Sequence, residues 1–149
     1  TSWIYLATSP VTFSRWWKKY GALGESDWYI TYQSSALSFY CTNFAGVGAG
    51  PATWSGGALS TLTWYFVVCK CIAANNLSYI SVNESSFNTG SVTAGCGNAA
   101  SGNIYVGKDD DDNNHYVKGR LDSFGGWHRL PAGGETALLY NSGNGADPW

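Results

Sequence analysis

Residues 64–71, Trp-Tyr-Phe-Val-Val-Cys-Lys-Cys, carry the strongest strand signal in the chain. Aromatic and β-branched side chains in a short, nearly unbroken apolar run favour extended backbone over helix. A strand without polar alternation has to be covered on both faces, so the run predicts a central strand inside a layered β structure. Asn75-Asn76 is a turn signal, and residues 77–82 read as a strand pairing back on the first, with another turn over 83–86.

The flanking sequence repeats the pattern. Residues 2–7 alternate Trp3 and Tyr5 against Ile4 and Leu6, and Pro10 ends them. Residues 13–20 are aromatic and basic, followed by a turn over 21–26. Residues 27–33 alternate again, with Trp28, Ile30 and Tyr32 on one side and Tyr29 and Thr31 on the other. Ser34-Ser35 is short enough to make 36–41 the hairpin partner. Residues 42–61 read as a Gly/Ala/Ser/Thr loop containing Pro51 and Trp54. Weaker strands are expected near 91–93, over 103–107 and over 116–124. Only residues 134–141 have helical character, with Leu138 and Leu139 apolar and Gly143 placed to stop the helix. Nineteen glycines, 16% aromatic residues and only 12% charged residues fit strands joined by tight turns. The expected fold is all-β: an antiparallel jelly-roll β-sandwich with one short C-terminal helix, in a single domain over 1–149.

Charge excludes some partners. The net charge is -2 and Lys18-Lys19 is an isolated basic pair, so nothing points to nucleic acid. No apolar run approaches the ~18 residues of a membrane-spanning helix. No signal-peptide pattern is present, and methionine is absent even at position 1, which reads as a processed or partial chain. Cysteines stand at 41, 69, 71 and 96. Two disulfides in an extracellular setting, or thiols buried as small hydrophobes, both fit that count. Cys69 and Cys71 share a strand face at a Cα separation of about 6.6 Å, the upper limit for a bridge. A bridge from either is therefore expected to reach Cys41 or Cys96. Without paired C-x-x-C spacing, the four are not a zinc site.

Several segments together resemble the laminin-G-like domains of the concanavalin A-like lectin/glucanase superfamily, pentraxins included. They are Trp64-Tyr65-Phe66-Val67-Val68 with Ile80-Ser81-Val82-Asn83, then Ile104-Tyr105-Val106-Gly107. After these come Gly119-Arg120-Leu121-Asp122 with Trp127-His128-Arg129, and the closing stretch from Glu135 to Tyr140 with Asn141-Ser142-Gly143-Asn144-Gly145. The likeness covers roughly residues 2–145. That family has strands before the position of Trp3 and after the Asn141–Gly145 stretch. The resemblance thus implies that ends were lost or that a neighbouring chain supplies edge strands, with self-assembly as a consequence.

Asp109, Asp110, Asp111 and Asp112, followed by Asn113 and Asn114, are the densest group of oxygen ligands in the chain. Four adjacent carboxylates repel one another unless a cation sits among them, and Ca²⁺ takes six to eight such oxygens. The resemblance implies the same ion, because pentraxins place calcium ligands in the loop after this strand; Asp109, Asp110 and Asp111 match best. A solvated turn is the other reading. Asp122 is expected to anchor a neighbouring loop by hydrogen bonding.

Trp16, Trp17, Trp54 and Tyr116 are expected in or beside loops, where rings stack on the apolar face of a sugar. Trp3, Trp28, Trp64 and Trp127 are expected in the core. Catalysis is not expected. The superfamily's glucanases use an E-x-D-x-x-E strand, and the segment beginning Glu25-Ser26-Asp27 has Ile30 where the second Glu is needed. His115 and His128 lack a Ser or Cys at triad spacing. Asn76-Leu77-Ser78 and Asn83-Glu84-Ser85 are glycosylation acceptors only in a eukaryotic secretory setting. The expected function is non-enzymatic extracellular recognition of a glycan or glycoprotein, with Ca²⁺ assisting through 109–114. The alternative is an assembly module of a larger surface, filament or virion protein.

Overall fold

A computed structural model describes residues 1–8, 13–20, 26–41, 50–92, 103–107, 117–127, 129–132 and 134–144. Its strands are β1 (Ser2–Leu6), β2 (Phe13–Tyr20), β3 (Ser26–Gln33), β4 (Ala36–Cys41) and β5 (Ala52–Thr53), then β6 (Trp64–Ile72), β7 (Leu77–Val82), β8 (Asn88–Ser91), β9 (Ile104–Val106) and β10 (Gly119–Asp122). One helix follows, α1 (Glu135–Tyr140). The strands form two antiparallel five-stranded sheets, ordered β10-β1-β6-β7-β8 and β5-β4-β3-β2-β9. The chain changes sheet after β1, β5, β8 and β9, so the expected all-β sandwich is the fold.

The 64–71 run does become the central strand of its sheet, extended by one residue to Ile72. Its inward side chains, Tyr65 and Val67, join the core between the sheets. Its outward side chains Phe66 and Val68 are also buried, with Trp3, Leu139 and Tyr140 packed over them. That second, smaller cluster is why the run needs no polar face. The stacked pair of Trp3 and Tyr140, with ring centroids 5.8 Å apart, seats the short helix on the sheet. No residue of α1 is fully buried, and a six-residue helix has little stability of its own, so this contact carries it.

The β3–β4 hairpin turns through Ser34 and Ser35, both at positive φ (51° and 62°), the conformation of a two-residue turn that matches strand twist. The alternation expected along β3 holds. Ile30 and Tyr32 are in the core, while Tyr29 stacks on Tyr40 at 4.6 Å on the outer face. β5 lies inside what reads from sequence as a loop, paired with β4 through Ser38 and Thr53. Along one side of the sandwich the sheets approach closely, because a Cβ on Gly90 of β8 would collide with the backbone of Pro51 and Ala52.

Candidate functional site

The space between the sheets is closed at one end and open at the other. At the closed end the Tyr32 hydroxyl accepts the Leu59 N–H (3.0 Å) and the Tyr65 hydroxyl accepts the Ser60 N–H (2.8 Å). Those two bonds hold the β5–β6 connection across the core, where Leu59 is buried. At the other end of the same strands, beside Trp28 of β3 and Cys69 of β6, a cleft of about 330 Å³ opens.

Three walls make the cleft. Trp17, Trp28 and Phe39 come from adjacent strands β2, β3 and β4, and Val68 to Cys71 come from β6. The third wall is the segment after β10: Phe124, Gly125, Gly126, Trp127, Arg129, Leu130 and Pro131. β10 pairs with β1 up to Trp3 and Asp122, after which the ladder slips by one residue. Thr1 and Gly125 then exchange two backbone hydrogen bonds, of 2.7 and 2.9 Å. Ser123 absorbs the slip at φ 51°, and the Asp122 carboxylate accepts its N–H at 2.7 Å. Two consecutive glycines next break the strand, leaving Phe124 and Trp127 on a loop with 39% and 44% of their surface exposed.

The rings are ordered by mutual contact. Trp17 is the hub: it meets Trp28 edge-on at 5.3 Å, Phe124 edge-on at 5.5 Å and Phe39 at 6.4 Å. Its indole N–H donates to the Ser2 hydroxyl (3.1 Å), so its polar atom serves the fold. The indole N–H groups of Trp28 and Trp127 have no hydrogen-bond partner among the described residues. Arg129 makes a two-pronged pair with Glu135 of α1, both N···O distances being 2.7 Å. Glu135 also accepts the Ala132 N–H, so one carboxylate pins the whole 129–135 stretch.

Hydrogen bonding from Arg129 holds the Glu135 carboxyl down at about 2, and the same bond raises the guanidinium. A carboxyl held below its unfolded value stabilises the fold above that value, about 4.3, and loses the contribution as pH falls toward 2. Acidification from pH 5 to about pH 2 should therefore loosen the Trp127–Pro131 wall. Lower amide protection in 129–132, relative to the intrinsic exchange rate at each pH and abolished as a pH effect by Glu135→Gln, is the expected readout; the pair is solvent-exposed, so little change in global stability is expected.

The cysteines divide between the two readings left open by the sequence, bridges and buried thiols. Cys41 and Cys69 are thiols. Cys71 is disulfide-bonded, to a partner outside the described residues. Burial pushes the Cys69 thiol far up, so it stays neutral and is no nucleophile at physiological pH.

Of the residues expected to bind sugar, Trp16 and Trp17 are instead core residues, 0% and 5% exposed. They lie on a strand, not a loop, and the β2–β3 register slips between Arg15 and Trp17. A bulge lets two neighbouring side chains leave the strict alternation, and here both tryptophans are buried. Trp54 is half-buried against Tyr65, and a Cβ on Gly56 would run into its ring. Tyr116 lies outside the described residues, as do Asp109 to Asp112, Asn113 and Asn114. The expected core tryptophans also redistribute: Trp3 is buried, Trp28 half-buried, and Trp64 and Trp127 are 39% and 44% exposed. Phe124 and Trp127 are the rings that the sequence reading missed; the signal was the Phe-Gly-Gly-Trp string directly after a strand.

Among the described residues no group of three His, Cys, Asp or Glu is placed to hold a metal ion, and no helix is long and apolar enough to cross a membrane. No protein-family model matches the chain, and no curated protein matches it. The likeness to laminin-G-like domains stays with the motifs that suggest it.

Proposed function

We propose that the domain is a non-catalytic carbohydrate-recognition module and that the cleft is its binding site. The observation that carries this reading is the ring-lined cleft itself, open to solvent, with Phe124 and Trp127 exposed at its lip. Its volume of about 330 Å³ is at the small end of ligand sites. Exposed rings over a rigid aromatic hub offer flat apolar faces for the C–H side of a sugar, and free indole N–H groups offer donors to its hydroxyls. No described lining residue carries a carboxylate, whereas glycoside hydrolysis uses a pair flanking the scissile bond. The Cys71 disulfide supports an extracellular or surface location. A glycan array read with and without EDTA tests the proposal; a silent array would overturn it.

Calcium enters as a stabiliser of the fold through 109–114, apart from sugar binding in the cleft, and rests on the composition of that stretch. Calcium at about 100 times its Kd should stabilise the fold by about 2.7 kcal/mol. An unchanged Tm in millimolar calcium removes the ion from the account.

The assembly reading has one observation in its favour. Among the described residues β9 is the outermost strand of its sheet, and its Ile104 and Val106 are about half exposed. An open strand edge with apolar side chains invites pairing with another chain. Light scattering should then detect oligomers that Ile104→Lys disperses; a monomer at all concentrations would dismiss this reading.

A further inference from the structure

Among the described lining residues there are two cationic side chains, and neither is available to a ligand; the Thr1 ammonium donates to the Gly125 carbonyl at 2.7 Å, and burial disfavours its charged form. The Arg129 guanidinium is neutralised by Glu135 in a two-pronged pair, and its NH1 additionally reaches the Leu130 carbonyl at 3.2 Å. To hold a ligand carboxylate it would have to give up the bond that fixes the cleft's own wall. The Lys70 ammonium is drawn the other way. It lies 3.9 Å from the centre of the Phe87 ring and 4.9 Å from that of Tyr79, and neither ring lines the cleft. What Lys70 shows the cleft is its aliphatic stem.

The remaining described lining side chains are uncharged. The Cys69 thiol is neutral, and Trp17, Trp28, Phe39, Val68, Phe124 and Trp127 are aromatic or apolar side chains. Among the described lining side chains, the indole N–H groups of Trp28 and Trp127 and the Thr1 hydroxyl have no hydrogen-bond partner, and all are neutral. Neutral donors beside ring faces suit hydroxyl oxygens. They do not repay the desolvation of a carboxylate or sulfate, which in an apolar cleft requires a paired charge.

Resting on the carbohydrate reading above, we infer that the cleft selects neutral sugars, such as gluco-, manno- or galacto-configured residues. It excludes uronic acids, sialic acids and sulfated sugars. The volume admits about one or two sugar rings, so the epitope is a terminal unit or short stretch. Binding at the cleft needs neither calcium nor low salt.

The test is an array carrying neutral and acidic saccharides side by side, probed at low salt, at about 1 M NaCl where charges more than ~3 Å apart are screened, and with EDTA. The expected result is binding confined to neutral saccharides, changed by less than about twofold by salt or EDTA. Trp127→Ala should weaken it by about tenfold while circular dichroism stays unchanged. Signal confined to acidic saccharides, or lost in high salt, overturns the neutral class and leaves carbohydrate recognition standing. Neutral binding that survives Trp127→Ala intact overturns the assignment to this cleft. A silent array removes the carbohydrate reading and this inference with it.

Discussion

Trp17→Ala should destabilise the domain by about 3–5 kcal/mol, the range for deleting a large buried aromatic side chain. For a chain of this size that lowers Tm by about 10 °C or more. Trp17 is 5% exposed and touches Trp28, Phe39 and Phe124, so its loss opens a cavity where the two sheets and the β10 segment meet. It also leaves the Ser2 hydroxyl without the indole donor that reaches it at 3.1 Å. Trp127→Ala is the matched control. Its ring is 44% exposed and makes no aromatic contact among the described residues, so stability should change by less than about 1 kcal/mol. If Trp17→Ala melted like the wild type, the ring would not be the hub of the cleft. Thermal or urea unfolding of the two variants side by side decides it.

Gly119→Ala is the second large effect, and it acts through backbone. Gly119 opens β10 opposite Leu6, and a Cβ there would collide with the Tyr5 carbonyl and press on the Leu6 Cα. Neither is a side chain that can swing aside, so β1 and β10 have to separate. Overpacking of this kind costs about 1–3 kcal/mol, and a clash with backbone belongs at the upper end. The consequence extends beyond the pair. β1 brings Ile4 and Leu6 into the core and carries the Thr1–Gly125 bonds that position Phe124 and Trp127. Gly119→Ala should therefore lower Tm by about 5–10 °C and also weaken ligand binding, although Gly119 does not line the cleft. An alanine variant with wild-type Tm would show that the β1–β10 ladder is looser than its register implies.

Strands whose side chains obey one simple period were legible in the sequence. The 64–71 run, the 27–33 alternation with its Ser34-Ser35 turn and the 77–82 return strand all appear within a residue or two of their expected limits. The short helix does as well, ended by Asn141, Ser142 and Gly143 at positive φ. The site was harder to read, because it depends on departures from period. A bulge buries both Trp16 and Trp17, which counting by twos would never do. The exposure of Trp127 depends on Gly125 and Gly126 ending β10's path, and on an ion pair six residues long that holds the loop. Trp64 sits on the most apolar strand of all, yet it is 39% exposed, beside the Tyr5 ring 5.2 Å away on the neighbouring strand. In an aromatic-rich chain, composition says that some rings are core and some are surface. Only register, bulges and the loop after β10 decide which.

The disulfide pattern shows the same limit. Cys69 and Cys71 share a strand face and differ in chemistry, the first a thiol and the second bridged. Spacing along the strand gives both the same direction, and what lies opposite each one determines the outcome.

The central claim is that Trp28 and Trp127 meet the ligand in a recognition cleft that the buried Trp17 supports, while Trp16 belongs to the core alone. The most direct measurement is a ¹⁵N-edited NMR spectrum of the indole N–H signals during titration with a neutral saccharide found on the array. The Trp127 and Trp28 signals should move with saturating concentration dependence, with those of Trp16 and Trp3 fixed. Saturable binding that leaves Trp127 and Trp28 unmoved would contradict the account.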